Sequence, residues 1–254
     1  MNIGMMQPAY MPWLGFFELI YKADTFIFLD DFQFSVQSYH QRNRLFVNRG
    51  QVDWYSVPVR KSVSFKAALN QALINEEVPW RIKSWKRIQQ NYSKAPFWGD
   101  LSSLVGKWML SSAESLSEQN IAFIKLVCGL MGLQKDFRLS SQYLTEAKSS
   151  MRVLELLRWC KADRYYSAKG SFGYMHEDGV FPVEDIEVMF QDFIPEDYRQ
   201  AGSPAVFVPS LSILDALFNI GPKATAELVR KGTPKWLTWD EMISVHKIHE
   251  KQLE

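Results

Sequence analysis

Two polar clusters in the first fifty residues hold side chains able to do chemistry. Asp30 and Asp31 stand side by side, with Gln33 two places on. Adjacent carboxylates at a strand end can take a ribose or sugar hydroxyl, hold a divalent cation with its waters, or supply one proton acceptor. Successive side chains of an extended chain point oppositely, so the two are not expected to serve one ligand together. The plain alternative is a turn cap beside a solvated carboxylate. Arg42 and Arg44 flank Asn43. A guanidinium is a planar fork for phosphate or carboxylate, and in an extended segment both arginines share a face. The plain alternative there is an exposed polar strand.

Ahead of both clusters runs Gln7-Pro8-Ala9-Tyr10-Met11-Pro12-Trp13-Leu14-Gly15. It lies between a first strand and a first helix, where free backbone N–H groups can bind an anion. Gln7, Tyr10 and Trp13 are its candidate ligand contacts. Two prolines that merely shape a loop over a core Tyr10 and Trp13 would leave the same pattern. A later stretch, Tyr166-Ser167-Ala168-Lys169-Gly170, closes another strand with small residues. Tyr166 and Ser167 are binding candidates, and Lys169 is one for phosphate. The four histidines lack metal-site spacing, so no metal is expected. No Walker loop, GxGxxG or Ser-His-Asp signature is present, and the cofactor is left unknown.

These residues need a frame. Ile3 to Met6 reads as a short buried strand and Thr25 to Leu29 as a second, β-branched and aromatic. Pro12 suits the first position of the intervening helix, which carries Trp13, Phe16, Phe17, Ile20 and Tyr21 at helical spacing. Strand, ten-residue helix and strand make a βαβ unit with parallel strands. The proline loop and the aspartate turn then both fall at the carboxyl edge of a sheet, where open α/β sheets hold ligands. Segments 44–47 and 52–59 read as a hairpin turning at Asn48-Arg49-Gly50. Three helices follow within about 77–134, a helical insertion. An αβ pattern returns with strands at 164–167 and 186–190, and helices occupy about 212–254. The expectation is one α/β domain over residues 1–254 with a Rossmann-like, mostly parallel sheet.

Composition narrows the classes. Net charge is +1 over 254 residues, which argues against a nucleic-acid partner. The amino terminus lacks the basic and apolar regions of a signal peptide, and no run reaches membrane-span length, so a cytoplasmic protein is expected. Cys128 and Cys160 lie among apolar residues at helical spacing and read as buried free thiols.

The run Gln7 to Phe17 resembles the opening of the WbqC-like family. So do Leu29-Asp30-Asp31-Phe32-Gln33-Phe34, Arg42-Asn43-Arg44, Val57-Pro58-Val59, Asn91-Tyr92, Tyr166-Ser167 and Leu211-Ser212-Ile213-Leu214-Asp215-Ala216-Leu217-Phe218-Asn219-Ile220-Gly221. The matches run in order over nearly the whole chain. The resemblance implies a role in bacterial surface-polysaccharide (O-antigen-like) biosynthesis, without fixing the reaction. Combined with the clusters above, it leads us to expect a transferase binding a nucleotide or nucleotide-activated amino sugar. Acyl or aminoacyl transfer to a sugar amine is the leading reaction, with Asp30 or Asp31 catalytic. The alternatives are a non-catalytic binding protein of the same pathway, or an ATP-dependent ligase or nucleotidyl transferase. Two departures stand out: the family usually has a histidine where Met6 stands and a glycine where Ala168 stands. A thioether cannot move protons as an imidazole does.

Overall fold

The structure, a computed structural model, describes residues 1–47, 50–201 and 206–253, with side chains as far as His246. Five strands form a parallel sheet: β1 (Asn2–Met6), β2 (Thr25–Phe28), β5 (Asp136–Leu139), β6 (Arg164–Ala168) and β7 (Glu187–Gln191). Their spatial order is β5-β2-β1-β6-β7. The chain therefore builds outward from β1 on one side, then returns to build on the other. Strand order reverses at β1, the point where such sheets open a crevice beyond their carboxyl ends. The hairpin β3 (Arg42–Val47) and β4 (Gln51–Ser56) is a separate antiparallel pair. Gly50 takes φ +89° at its turn, while Asn48 and Arg49 lie outside the described residues.

The helices are α1 (Leu14–Lys22), α2 (Lys61–Ser64), α3 (Trp80–Tyr92), α4 (Trp98–Leu110), α5 (Leu116–Leu130), α6 (Ser149–Trp159), α7 (Phe172–Glu177), α8 (Ile213–Lys231) and α9 (Trp239–Leu253). Strand alternation sorts side chains to the two faces of the sheet. Phe26 and Phe28 point into a core shared with α1, α3, α4, α5 and α8. Ile3, Met5, Ile27, Tyr165 and Phe190 point into a second core with α6, α7 and α9. A sheet covered on both faces explains why its central strands are apolar runs without polar alternation. On β1, Gly4 faces α1, and a Cβ there would lie 3.0 Å from the Leu19 carbonyl oxygen. Cys128 and Cys160 are buried free thiols, as expected, and burial pushes the Cys128 thiol up to about 12. Among the described residues, no helix is long and apolar enough to cross a membrane.

One expectation needs correction. The first helix begins at Leu14, with Trp13 as N-cap, so Pro12 is not its first residue. Met11 adopts φ +43°, and the Pro12 carbonyl accepts from the Ile213 N–H at 2.9 Å. Docking against the start of α8, not helix propensity, sets the loop's exit.

Leu211 to Gly221 proves to be a structural hub. Asp215 is fully buried and accepts from Tyr92 OH (2.8 Å), Tyr198 OH (2.7 Å), Gln200 Nε2 (2.9 Å) and Asn219 Nδ2 (3.2 Å). Asn219 Oδ1 accepts in turn from the Ala201 N–H, tying down the long segment after β7. Gly221 takes φ +79° and bends α8 beside the Phe97 ring. Buried polar groups need partners, and one carboxylate here partners three segments at once.

Candidate functional site

Two adjoining hollows lie at the carboxyl edge of the sheet. The first, about 380 Å³, lies beyond β1, β2 and β6. Met5, Met6, Leu29 and Phe32 form its apolar wall, and Gln7, His40, Ser149, Ser167, Ser171 and Tyr174 supply polar groups. The second, about 400 Å³, is lined by Pro12, Trp13, Phe16, Asn43 and Ser210. Met6, Ala9 and Tyr39 line both.

The proline loop is fixed through its carbonyls. Asn43 Nδ2 donates to the Tyr10 and Met11 oxygens at 3.2 and 2.9 Å. Asn120 Nδ2 donates to the Pro8 oxygen at 3.0 Å and to the His40 oxygen at 2.8 Å. Two buried amides thus hold both walls of the cleft together. Gln7 Nε2 donates to the Gln33 carbonyl at 3.0 Å, linking the proline loop to the turn after β2.

The expected site residues divide. Gln7, Trp13 and Ser167 line the hollows. Asn43 lines the second, but its amide is committed to the loop. Tyr10 is fully buried, its hydroxyl 3.8 Å from Met109 Sδ and its ring edge-on to Trp80, so it belongs to the core. Gln33 is exposed and lines neither hollow, and its carbonyl is taken by Gln7. Tyr166 packs edge-on against Trp236, on the opposite face of β6 from Ser167. Lys169 is half-exposed and paired with Asp192 at 2.8 Å.

The aspartates stand at the carboxyl end of β2, but neither lines the two hollows. Asp30 is buried and accepts from the Ser141 N–H (3.0 Å), Ser141 Oγ (2.7 Å), Ser140 Oγ (3.2 Å) and Asn70 Nδ2 (3.3 Å). Asp31 pairs with Arg152 and accepts from Ser140 Oγ. Both carboxylates fasten β2 to the end of β5 and to α6, which satisfies their charge within the fold.

Arg42 and Arg44 do share a face, because they sit two apart on β3. The Arg42 guanidinium lies over the Trp54 ring at 4.3 Å, and Trp54 lies 5.7 Å from the Tyr39 ring. Arg44 Nε is buried with no hydrogen-bond partner among the described residues.

The residue that sequence reasoning passed over is His40. It lines the first hollow, and its Nδ1 accepts from the Ser35 N–H at 3.4 Å. That bond puts the proton of the neutral ring on Nε2, which leaves a donor. Burial holds its pKa down at about 4, so the ring is neutral at pH 7. Its one signal in the sequence was its place beside Tyr39 in the polar segment. Ser171 is also newly placed. Ser171 Oγ donates to the Ala168 oxygen at 2.7 Å and lies 2.6 Å from Ser167 Oγ. Ser171 thus accepts from Ser167, whose oxygen also has the Tyr165 hydroxyl as a hydrogen-bond neighbour.

Gly15 has a local reason. A Cβ there would lie 2.4 Å from the Trp13 indole, which packs edge-on against Phe193 at 5.0 Å. Gly15→Ala is expected to drive the indole out of the second hollow and cost about 1–3 kcal/mol through overpacking. A lowered melting temperature with altered tryptophan emission would register this. An unchanged spectrum would mean the indole is not held there.

A family model described as the WbqC-like protein family matches residues 7–227. The chain is also 29% identical over 225 residues to the uncharacterized protein Rv1507c of Mycobacterium tuberculosis (strain ATCC 25618 / H37Rv), covering 88% of this chain and 95% of that one. No solved structure matches the chain. The family match takes in the proline loop, the aspartate turn, the arginine pair, the Ser167 strand end and the Asp215 hub, and on that ground the chain belongs to the WbqC-like family.

Proposed function

We propose that this protein binds a nucleotide-activated sugar across the two hollows and transfers an acyl or aminoacyl group to a sugar amine. The observation that carries the reading is the pairing of unlike chambers at the point of strand-order reversal. Ligand sites in open parallel sheets favour that point, and a few polar groups in an apolar cleft fix orientation. The second hollow, with Trp13, Phe16 and Tyr39, suits a base. The first, with Gln7, His40, Ser167 and Ser171, suits a sugar's hydroxyls. In this reading His40 donates from Nε2 to a ligand oxygen, and Ser167 accepts from a hydroxyl or amine. Arg42 and Arg44 lie on the opposite face of β3 from Asn43 and line neither hollow, so no arginine is assigned to the phosphate. The sheet is read as Rossmann-like and nucleotidylyltransferase-like, with the helices between about 77 and 134 as an insertion in one domain. In this reading the protein works in bacterial surface-polysaccharide biosynthesis, in the cytoplasm.

A specific observation favours a second reading, a non-catalytic binding protein of the same pathway. Met6, which lines both hollows, has no group to move a proton, and both aspartates are turned into the fold. The ligase reading has no such support.

One experiment separates these. UDP-N-acetylglucosamine and a panel of nucleotides, nucleotide sugars and acyl-CoAs are screened for thermal stabilisation, which follows mass action. A hit is expected that weakens about tenfold or more in Ser167→Ala and His40→Phe, since each removes a polar contact to a buried ligand. Turnover of the hit identifies an enzyme, and saturable binding without turnover a binder. No stabilisation across the panel would sink both readings.

A further inference from the structure

A larger hollow, about 930 Å³, lies on the far side of the segment that carries Tyr39 and His40. Val36, Gln37 and Gln41 from that segment form one wall, and Pro58 to Ser62, Ser64, Phe65 and Asn75 form the rest. Its frame is well tied. The Val57 N–H donates to the Gln41 oxygen at 2.7 Å, Arg60 N–H to the Leu73 oxygen at 2.9 Å and Asn75 N–H to the Pro58 oxygen at 2.8 Å.

The chemistry of this hollow is one-sided. Among the described residues no carboxylate lines it, while Arg60 and Lys61 do. Arg60 is shared with a neighbouring hollow that carries Glu76, Glu114 and Glu118, so Lys61 is the cation proper to this one. The amide oxygens are already engaged: Gln41 Oε1 accepts from the Gln37 N–H at 3.2 Å and Asn75 Oδ1 from the Glu77 N–H at 3.2 Å. Both side chains therefore have NH₂ donors left to offer. Ser64 is buried, and its hydroxyl has no partner among the described residues. A buried hydroxyl without a partner is unfavourable, and a ligand oxygen seated beside it removes that cost. Phe65, at 66% exposure, gives a flat apolar face at the rim. Spare donors, a lysine, no carboxylate and an exposed ring fit a ligand rich in oxygen and negatively charged.

We infer that this hollow binds a phosphorylated monosaccharide, its phosphate at Lys61, its hydroxyls at the Gln41 and Asn75 amides and its C–H face on Phe65. The site is distinct from the sheet-edge cleft and stands whether or not that cleft binds a nucleotide sugar. If both are occupied, the segment between them, Phe34 to Gln41, forms a wall common to the two ligands.

The test is isothermal titration of the full chain with glucose 1-phosphate, with glucose and with inorganic phosphate, at one ionic strength. Saturable binding of glucose 1-phosphate is expected, weaker for the other two. Lys61→Ala should weaken it about tenfold, the value of one charge-assisted contact. Ser64→Ala should weaken it at an unchanged or raised melting temperature, since the lone hydroxyl does nothing for the fold. Ser167→Ala, in the other cleft, should leave it unchanged. No saturable binding, full affinity in Lys61→Ala, or a lowered melting temperature with full affinity in Ser64→Ala would each overturn the inference. Inorganic phosphate binding as tightly as the sugar phosphate would overturn it too, by reducing the site to one for a free anion.

Discussion

Asp215→Leu is expected to destabilise the protein by about 4–5 kcal/mol, at the upper end of single-substitution effects. The leucine fills the space, but the hydroxyls of Tyr92 and Tyr198 lose their acceptor, and the amides of Gln200 and Asn219 each lose one bond while keeping those to the Val208 and residue-215 carbonyls. Each buried donor left unmade costs about 1–3 kcal/mol, and the sum falls short of additivity because Tyr198 and Gln200 lie on a segment able to shift. Desolvation raises the Asp215 pKa despite those four bonds, so the carboxyl itself is no gift to stability. The loss comes from its partners. Asp215→Asn should fall between, because an amide oxygen can still accept while its NH₂ faces other donors. Urea unfolding followed by tryptophan emission gives the comparison. Asp215→Leu unfolding at the wild-type midpoint would show that the three segments hold together without this carboxylate.

A second large effect concerns acid. His40 has an ordinary pKa of 6.5 and is held at about 4 by burial. Between these values the unfolded chain binds a proton that the folded chain refuses. Stability contributed by the neutral ring is therefore fully present above pH 6.5 and is lost as pH falls toward 4. The shift corresponds to at most about 3 kcal/mol, at about 1.4 kcal/mol per unit. His40→Asn removes the titration, so the stability of wild type minus variant should fall by up to that amount across the window and lie flat above it. Subtraction cancels the carboxylates, including Asp215. Tyr165 and Tyr174, in the same cleft, have pKa values raised by burial and stay protonated throughout. A difference that stays level from pH 7 to 4 would mean the ring is open to water and carries an ordinary pKa. A neutral, donating His40 also bears on the cleft. It gives a ligand oxygen a hydrogen bond at pH 7 without a charge.

Some of the arrangement was fixed locally and could be read from residue order. Ile3 to Met6 and Thr25 to Leu29 are apolar on both faces of the chain, a pattern suited to central strands covered on both sides, and both strands are there. The helices within about 77–134 follow from 3.6-residue spacing, and Ser115 with Glu118 closes a capping box at the start of α5. That the proline loop and the aspartate turn lie at one sheet edge followed from the βαβ unit. What order alone did not determine was where each polar side chain turns. Asp30 or Asp31 looks like a carboxylate free for a ligand until Ser140, Ser141 and Arg152, more than a hundred residues away, are brought against them. Tyr10 looks like a ligand contact until Trp80 and Met109 close over it. His40 looks like one polar residue among several until burial lowers its pKa and Ser35 sets its tautomer. Periodicity reports which face of an element is apolar, because burial is a property of the face. The partner that claims a polar group arrives from elsewhere in the chain, so only the tertiary structure decides whether a carboxylate is spent on the fold or left free for a ligand.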